Sequence, residues 1–397
     1  MKRKNKIMEK KEITKEFIKK LTEVCGKKKS SLHEPSFFGN EISEISKCIK
    51  STFVSSKSDI TTKFEKKIKK ITKAKYAVAT VNGTAALHMG LLSLKLKPNE
   101  EVLIPSFNFV AAANAINYCG AIPHFIEIEE STLSVDSKKL DNYLKKNFKI
   151  IKGKCINKIT NRIVKGIIVA HIFGHPAKID DLTRVSKKYK LFLIEDAAES
   201  LGSYYKNKHT GTFGDIGIIS FNGNKIITTG GGGVVLTNSK SIYKKIANLV
   251  ELSKKKHPWK FDYNGIGFNL RMPGLNASLG LAQLKYLKKI IMIKKKIFKK
   301  YFSKFNGSKY FDLLIEPKNA RSNYWLQNVK IKKRYSKYID YLLKVSNDNS
   351  YNTRPAWTLL HKQKHFRKCP KSSLNISEEL HNRIISLPSS KDIIYGI

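Results

Sequence analysis

A chain of 397 residues is longer than one hydrophobic core usually serves, so two domains are expected and size is no obstacle to an enzyme. Its 76 Lys and Arg against 31 Asp and Glu give a formal charge of +45, which alone points to nucleic acid or an anionic surface as partner. The lysines are nevertheless spread along the whole chain, on polar faces of helical patterns such as 63–75 and 285–300, with no nucleic-acid-binding motif. A solvated surface whose field also draws in an anionic substrate fits that distribution.

Residues 1–35 read as a basic amphipathic extension: Lys2-Arg3-Lys4, then a helical pattern with Ile13, Phe17, Leu21 and Val24 on one face. Its lysine-rich polar face suits a membrane surface, but Glu9, Glu12, Glu16 and Glu23 weaken that reading, and docking on the protein's own body is expected. Two short helices follow, one with Ile42, Ile45 and Ile49, the other with Phe64, Ile68 and Ile71. From Tyr76 the texture changes, and strands are predicted at 76–81, 101–104, 122–128, 166–173, 191–194, 216–221 and 234–237. Strands alternating with helical segments imply an α/β fold whose sheet is mixed, mostly parallel and covered on both faces. Sites in such sheets gather at the carboxyl ends of strands. A large domain is expected over 36–272 and a smaller α+β domain over 273–397. The latter opens on a lysine-rich amphipathic helix through Leu281, Leu284, Leu287 and Ile291 and holds a short strand at 328–331.

Cys25, Cys48, Cys119, Cys155 and Cys369 are odd in number, far apart and never in Cys-x-x-Cys spacing, so they read as free thiols in a reducing compartment. No apolar run is long enough to span a bilayer, and the N-terminus lacks a signal peptide's apolar core. A cytoplasmic protein with no membrane span and no nucleic-acid partner is expected.

Three stretches carry chemistry. Lys225 sits between the apolar run ending at Phe221 and the glycine tract Gly230-Gly231-Gly232-Gly233, which lets other backbone or a ligand come close. It is either a Schiff-base lysine or a loop lysine beside a flexible turn. Asn82-Gly83-Thr84-Ala85-Ala86 follows a strand and opens a helix, which suits a phosphate, or else a cap formed by the threonine. Glu195 and Asp196 end another strand, where an acid can hold a cationic ring nitrogen or form an N-cap or salt bridge. Lysine, acid and phosphate cup together match what a pyridoxal phosphate site needs, and Phe109 supplies an aromatic for a flat ring or for the core. No metal-binding cluster is read.

The order of these stretches resembles the DegT/DnrJ/EryC1/StrS sugar aminotransferases, pyridoxal-phosphate enzymes of the aspartate-aminotransferase fold (fold type I). The resemblance rests on Leu32-His33-Glu34-Pro35, then 51–56, 81–87, 195–202, 209–214 and 221–233, then His257-Pro258-Trp259, Asn323-Tyr324-Trp325-Leu326 and Thr353-Arg354-Pro355-Ala356-Trp357. Within the family it is most similar to LegC-type enzymes. That likeness implies amination, from L-glutamate, of C4 on a UDP-linked 4-keto-6-deoxy-N-acetylhexosamine, toward legionaminic acid or a related glycan. GDP-4-keto-6-deoxymannose, giving perosamine, is the alternative. A polybasic nucleic-acid or membrane-surface binder on a degenerate enzyme fold is the reading from another class.

Residue by residue, the resemblance implies Lys225 as the Schiff-base lysine and Asp196 as the pyridinium partner. It puts Glu199 near the ring hydroxyl, Gly83, Thr84, Ala85 and Ser220 at the phosphate, and Phe109 on the ring. Ser55, Ser56, His257, Trp325 and Trp357 fall at substrate positions. Asn269 matches an asparagine that reaches the neighbouring subunit's cofactor, which implies a homodimer with shared sites. Ser58 stands where LegC-like sequences have glycine.

Overall fold

A computed structural model describes residues 2–255 and 257–395, with side chains from Ile7 onward, so the side chains of Lys2-Arg3-Lys4 lie outside the described residues. The apolar runs form β1 (Tyr76–Thr80), β2 (Glu101–Pro105), β3 (Ile122–Ile126), β4 (Ile163–Ala170), β5 (Phe192–Asp196), β6 (Ile216–Ser220) and β7 (Gly233–Thr237). They lie side by side in the order β1-β7-β6-β5-β4-β2-β3. Neighbours from β6 across to β3 are parallel, while β7 runs antiparallel to both β6 and β1.

Every position of β2, β6 and β7 is buried, because both faces of the sheet are covered. Successive side chains go to opposite cores. Ile219, Val234 and Leu236 join Phe64 of α3 (Asp59–Thr72) on one face, and Ile216, Ile218 and Val235 join Leu87 and Met89 of α4 (Gly83–Ser93) on the other. The predicted run 166–173 overshoots: β4 ends at Ala170, and the chain turns through Ile172–Gly174 with Phe173 at φ 55°. A hairpin of Phe148–Ile151 and Lys154–Asn157, unmarked in the sequence reading, attaches to β4.

Beyond the sheet, the long helix Gly274–Phe305 packs against α3 and against Asn40–Lys50. It leads to a four-stranded antiparallel sheet of β8 (Phe311–Leu313), β9 (Gln327–Ile331), β10 (Arg354–Pro355) and β11 (Ile384–Leu387), in the order β8-β9-β11-β10. The N-terminal helix Lys2–Cys25 docks against this half: Ile13, Phe17 and Leu21 are fully buried in one cluster with Tyr301, Phe305 and Phe311.

Two residues depart from their sequence readings. Lys294, within the run taken as solvated lysines, is buried, and its ammonium donates to the carbonyl of Ser389; burial pushes its pKa well below the ordinary lysine value. Ser58 caps α3, its Oγ accepting from the N–H of Ile60 at 3.2 Å, so a serine in place of glycine does local work. Among the described residues all five cysteines are free, no helix is long and apolar enough to cross a membrane, and no cluster of metal-ligating side chains occurs.

Candidate active site

A cavity of about 310 Å³ opens at the carboxyl ends of β4, β5 and β6. Gly83, Thr84, Phe109, Asp196, Glu199, Ser220, Lys225, Trp325 and Trp357 all line it, although they come from six separate stretches of chain. The topology causes this convergence. Parallel register sets Asp196 opposite both Ala170 and Ile218, so β4, β5 and β6 end together.

The acidic pair at the end of β5 is divided by strand alternation. Glu195 points away from the cavity, where Gly211, Phe213 and Gly214 N–H groups and His171 Nε2 donate to it at 2.6–3.0 Å. Burial pushes its pKa up, but those hydrogen bonds outweigh burial and hold it below the ordinary carboxylate value. Asp196 faces the cavity with one hydrogen bond to its carboxylate, from the Ala198 N–H at 3.2 Å. Burial raises its pKa against the opposing pull of that N–H, Lys225 and His171. An acid in that state is stabilised as a carboxylate by any further cation placed beside it.

Lys225 lies on a turn after β6 whose N–H donates to the carbonyl of Asn222 at 2.9 Å. Its Nζ is 3.2 Å from Glu199 Oε1 and 4.2 Å from the centre of the Trp325 ring. Glu199 is fixed from behind, since its Oε2 accepts from the N–H of Phe173 at 2.8 Å. Burial raises the Glu199 pKa, Lys225 opposes it, and the nearby Asp196 adds to it. Trp325 is in turn held by Nε1 donating to the carbonyl of Asn224 at 2.7 Å, and Asn323 ties this segment to the carbonyls of Glu199 and Leu201. Trp325 therefore serves the lysine end of the cavity.

At the opposite end, Asn82 caps α4, its Oδ1 accepting from the N–H of Ala85 at 2.7 Å. This corrects the expectation of a threonine cap and leaves Thr84 on the cavity wall. Ala85 is buried within the cap and does not line the cavity. Gly83 approaches Ser220 so closely that a Cβ on it would lie 3.0 Å from the serine Cβ. Gly233 permits the turn itself, because a Cβ there would be 2.4 Å from the Asn82 carbonyl oxygen. Gly233 thus admits backbone, while Gly232 makes room for the Thr229 and Met272 side chains, with the helix N-terminus and Ser220 left to form a cradle.

The remaining wall is aromatic. Trp357 stacks on Phe173 with centroids 5.2 Å apart and meets Phe109 edge-on at 6.2 Å. Two residues here escaped the sequence reading. His171 is buried on the cavity wall between Glu195 and the main chain of Asp196. Asn108 is buried with its Nδ2 unpartnered. Asn108 stands beside Phe109, a residue already singled out, but only the folded contacts disclose an unused donor.

Ser55, Ser56, His257 and Asn269 do not line this cavity. Ser55, His257 and Asn269 are exposed, and Ser56 is half-buried. Asn269 bridges to Glu251, and the His257 ring accepts from the N–H of Lys260 at 3.0 Å.

The chain belongs to the DegT/DnrJ/EryC1/StrS aminotransferase family, whose model matches residues 37–394. It is a pyridoxal-phosphate-dependent sugar-nucleotide aminotransferase of fold type I. It is similar to GDP-perosamine synthase of Escherichia coli O157:H7, with 34% identity over 362 residues, 90% of this chain and 92% of that one. A UDP-4-amino-4,6-dideoxy-N-acetyl-beta-L-altrosamine transaminase of Campylobacter jejuni is 32% identical over 252 residues, 63% of each chain. The chain Spr1654 of Streptococcus pneumoniae, solved in its PLP form, superposes with a TM-score of 0.81 at 21% identity, covering 91% of this chain and 94% of that one. The cavity fits the cofactor: it offers a primary amine, an under-solvated carboxylate, and a helix N-terminus with a close-packed Gly83–Ser220 cradle.

Proposed function

We propose that this enzyme moves the amino group of L-glutamate to C4 of GDP-4-keto-6-deoxymannose, working as a homodimer with shared sites. One observation carries the choice of nucleotide sugar. Likeness to a GDP-perosamine synthase runs through nine tenths of the chain, whereas likeness to the UDP-sugar transaminase stops short of two thirds. A UDP-linked 4-keto-6-deoxy-N-acetylhexosamine is the second reading, favoured by the 323–326 and 353–357 stretches that carry Trp325 and Trp357.

When bound, pyridoxal phosphate supplies a carbonyl that condenses with amines and a ring that draws electrons from the carbon being deprotonated. Lys225 would anchor that group through Nζ and, once freed by the incoming amine, move a proton to and from the substrate carbon. Glu199, 3.2 Å away, holds the lysine head group in place between turns. Asp196 would keep a proton on the ring nitrogen, and that adjacent cation would offset the desolvation that raises the carboxyl's pKa. Gly83, Thr84 and Ser220 would take the phosphate at the start of α4. Phe109 and Trp357, the latter backed by Phe173, would cover one side of the bound ring.

The homodimer reading draws support from Asn269, Ser55 and His257, which stand exposed and off the cavity, and from Trp259, Phe261 and Ile266, large apolar side chains that are 75%, 72% and 89% exposed. The test compares kcat/KM for the two keto sugars with L-glutamate and pyridoxal phosphate present. A clear preference for the GDP sugar is expected. Preference for the UDP sugar would replace it with the second reading, and no turnover with either, alongside salt-sensitive nucleic-acid or vesicle binding, would favour the polybasic binder.

A further inference from the structure

We propose that Asn108 is a specificity-determining residue, donating through Nδ2 to an oxygen of the keto sugar, and that Ser106, His361 and Glu378 form a clasp that positions it. The proposal rests on the amination reading above. Among the described residues four buried side-chain atoms lack a hydrogen-bond partner, and of those residues only Asn108 lines the cavity. Its amide orientation is set, because Oδ1 accepts from the N–H of Phe109 at 2.8 Å and only an oxygen can do so. The unused donor is therefore the NH₂ group. A buried donor left unpaired is costly unless a ligand completes it.

The clasp lies directly behind. Ser106, at 0% exposed, accepts on its carbonyl from Leu360 N–H at 3.0 Å and on Oγ from His361 N–H at 3.3 Å. Its hydroxyl meets His361 Nδ1 at 2.7 Å, and His361 Nε2 meets Glu378 Oε1 at 3.0 Å. Since the carboxylate only accepts, the ring proton sits on Nε2 and Ser106 Oγ donates to Nδ1. The order serine, histidine, acid looks like a nucleophile relay, but this hydroxyl is spent on both sides and does not reach the cavity. What the clasp does is join the β2 end, bearing Asn108 and Phe109, to the segment bearing Trp357.

That placement puts Asn108 on the substrate side. In the proposed reading the polar demands of the cofactor are met by Asp196, Lys225, Gly83, Thr84 and Ser220, none of which belongs to the clasped wall. The clasped wall is otherwise aromatic, and apolar faces fill space without fixing a sugar's orientation; one rigid donor supplies that. Loss of it should weaken sugar binding about tenfold or more.

The experiment measures both half-reactions by single-turnover absorbance on the cofactor-loaded protein, using L-glutamate and then whichever keto sugar the wild type turns over. Asn108→Asp keeps the shape and removes the donor, and Asn108→Ala removes both. Each should raise the keto-sugar half-saturation concentration at least tenfold more than that for glutamate. Equilibrium titration with GDP-mannose or UDP-N-acetylglucosamine, matched to the wild type's base preference, should weaken in parallel. His361→Ala should shift the same quantities less, and His361→Gln, which can accept from Ser106 and donate to Glu378, should recover part of the loss. Equal effects on both half-reactions, or a displaced cofactor absorption band, would assign the donor to the cofactor and overturn the proposal, as would unchanged sugar binding. A wild type that aminates neither sugar instead fells the functional reading, which is a separable outcome.

Discussion

Lys225 and Asp196 approach one cavity from the ends of two strands, Lys225 held by Glu199 and Trp325, Asp196 with a carboxylate that burial leaves short of stabilisation. Lys225→Ala should abolish both the protein-bound absorption band of pyridoxal phosphate and all turnover. Asp196→Asn should keep the fold and lower turnover by a factor on the order of a hundred or more. Stability separates this from simple damage. Burial raises the Asp196 pKa in the cofactor-free protein, so the folded state binds a proton more tightly than the unfolded chain does. The wild-type group therefore costs stability as pH rises through the window above the ordinary carboxyl range, and the cost is absent in acid. Cofactor-free Asp196→Asn should accordingly melt no lower than wild type at neutral pH, with the two curves converging as pH falls. A variant that melts lower at neutral pH would mean that Asp196 is held by structural bonds rather than kept ready for a cation.

Among the elements, the turn from β1 into α4 gives the sharpest contrast between two neighbouring polar residues. Asn82→Ala removes the cap and should cost about 1 kcal/mol in denaturant unfolding. Thr84→Ala should leave that stability nearly unchanged and weaken cofactor binding instead. Gly233→Ala should fail on both counts, because its methyl group would meet the Asn82 carbonyl at 2.4 Å and push the turn off β7. The sequence marked this turn, the lysine and the acid because each sits at a boundary where an apolar run stops. It did not separate Asn82 from Thr84 as the cap, since both are capping residues two positions apart. The hairpin at 148–157 went unread because Lys149, Ile150 and Ile151 are all exposed, so its first strand carries no alternation. The supports of Lys225 were equally hidden, for Trp325 meets Asn224 across a separation of 101 residues. Such pairings follow from topology and leave no local pattern.

At the scale of the whole molecule, the question is what the basic N-terminal helix is for. Its acids face inward charges: Glu9 pairs with Lys337 at 3.2 Å, Glu12 with Lys309 at 3.8 Å and Glu23 with Lys304 at 3.4 Å. These lysines are about half exposed, and exposed pairs of this kind contribute roughly 0–1 kcal/mol each, so charge steers the helix more than it holds it. The holding comes from Ile13, Phe17 and Leu21, each with no exposed surface. Phe17 alone lies 5.1 Å from the Phe311 ring and 6.4 Å from that of Phe305. Phe17→Ala should therefore destabilise the protein by about 3–5 kcal/mol, and raising salt should change that loss little. A helix kept for a membrane surface would behave in the opposite way. Its apolar face would be free, Phe17→Ala would leave the unfolding midpoint in place, and binding to anionic vesicles would fall. Measuring both quantities on the same variant decides whether this helix closes the fold or reaches beyond it.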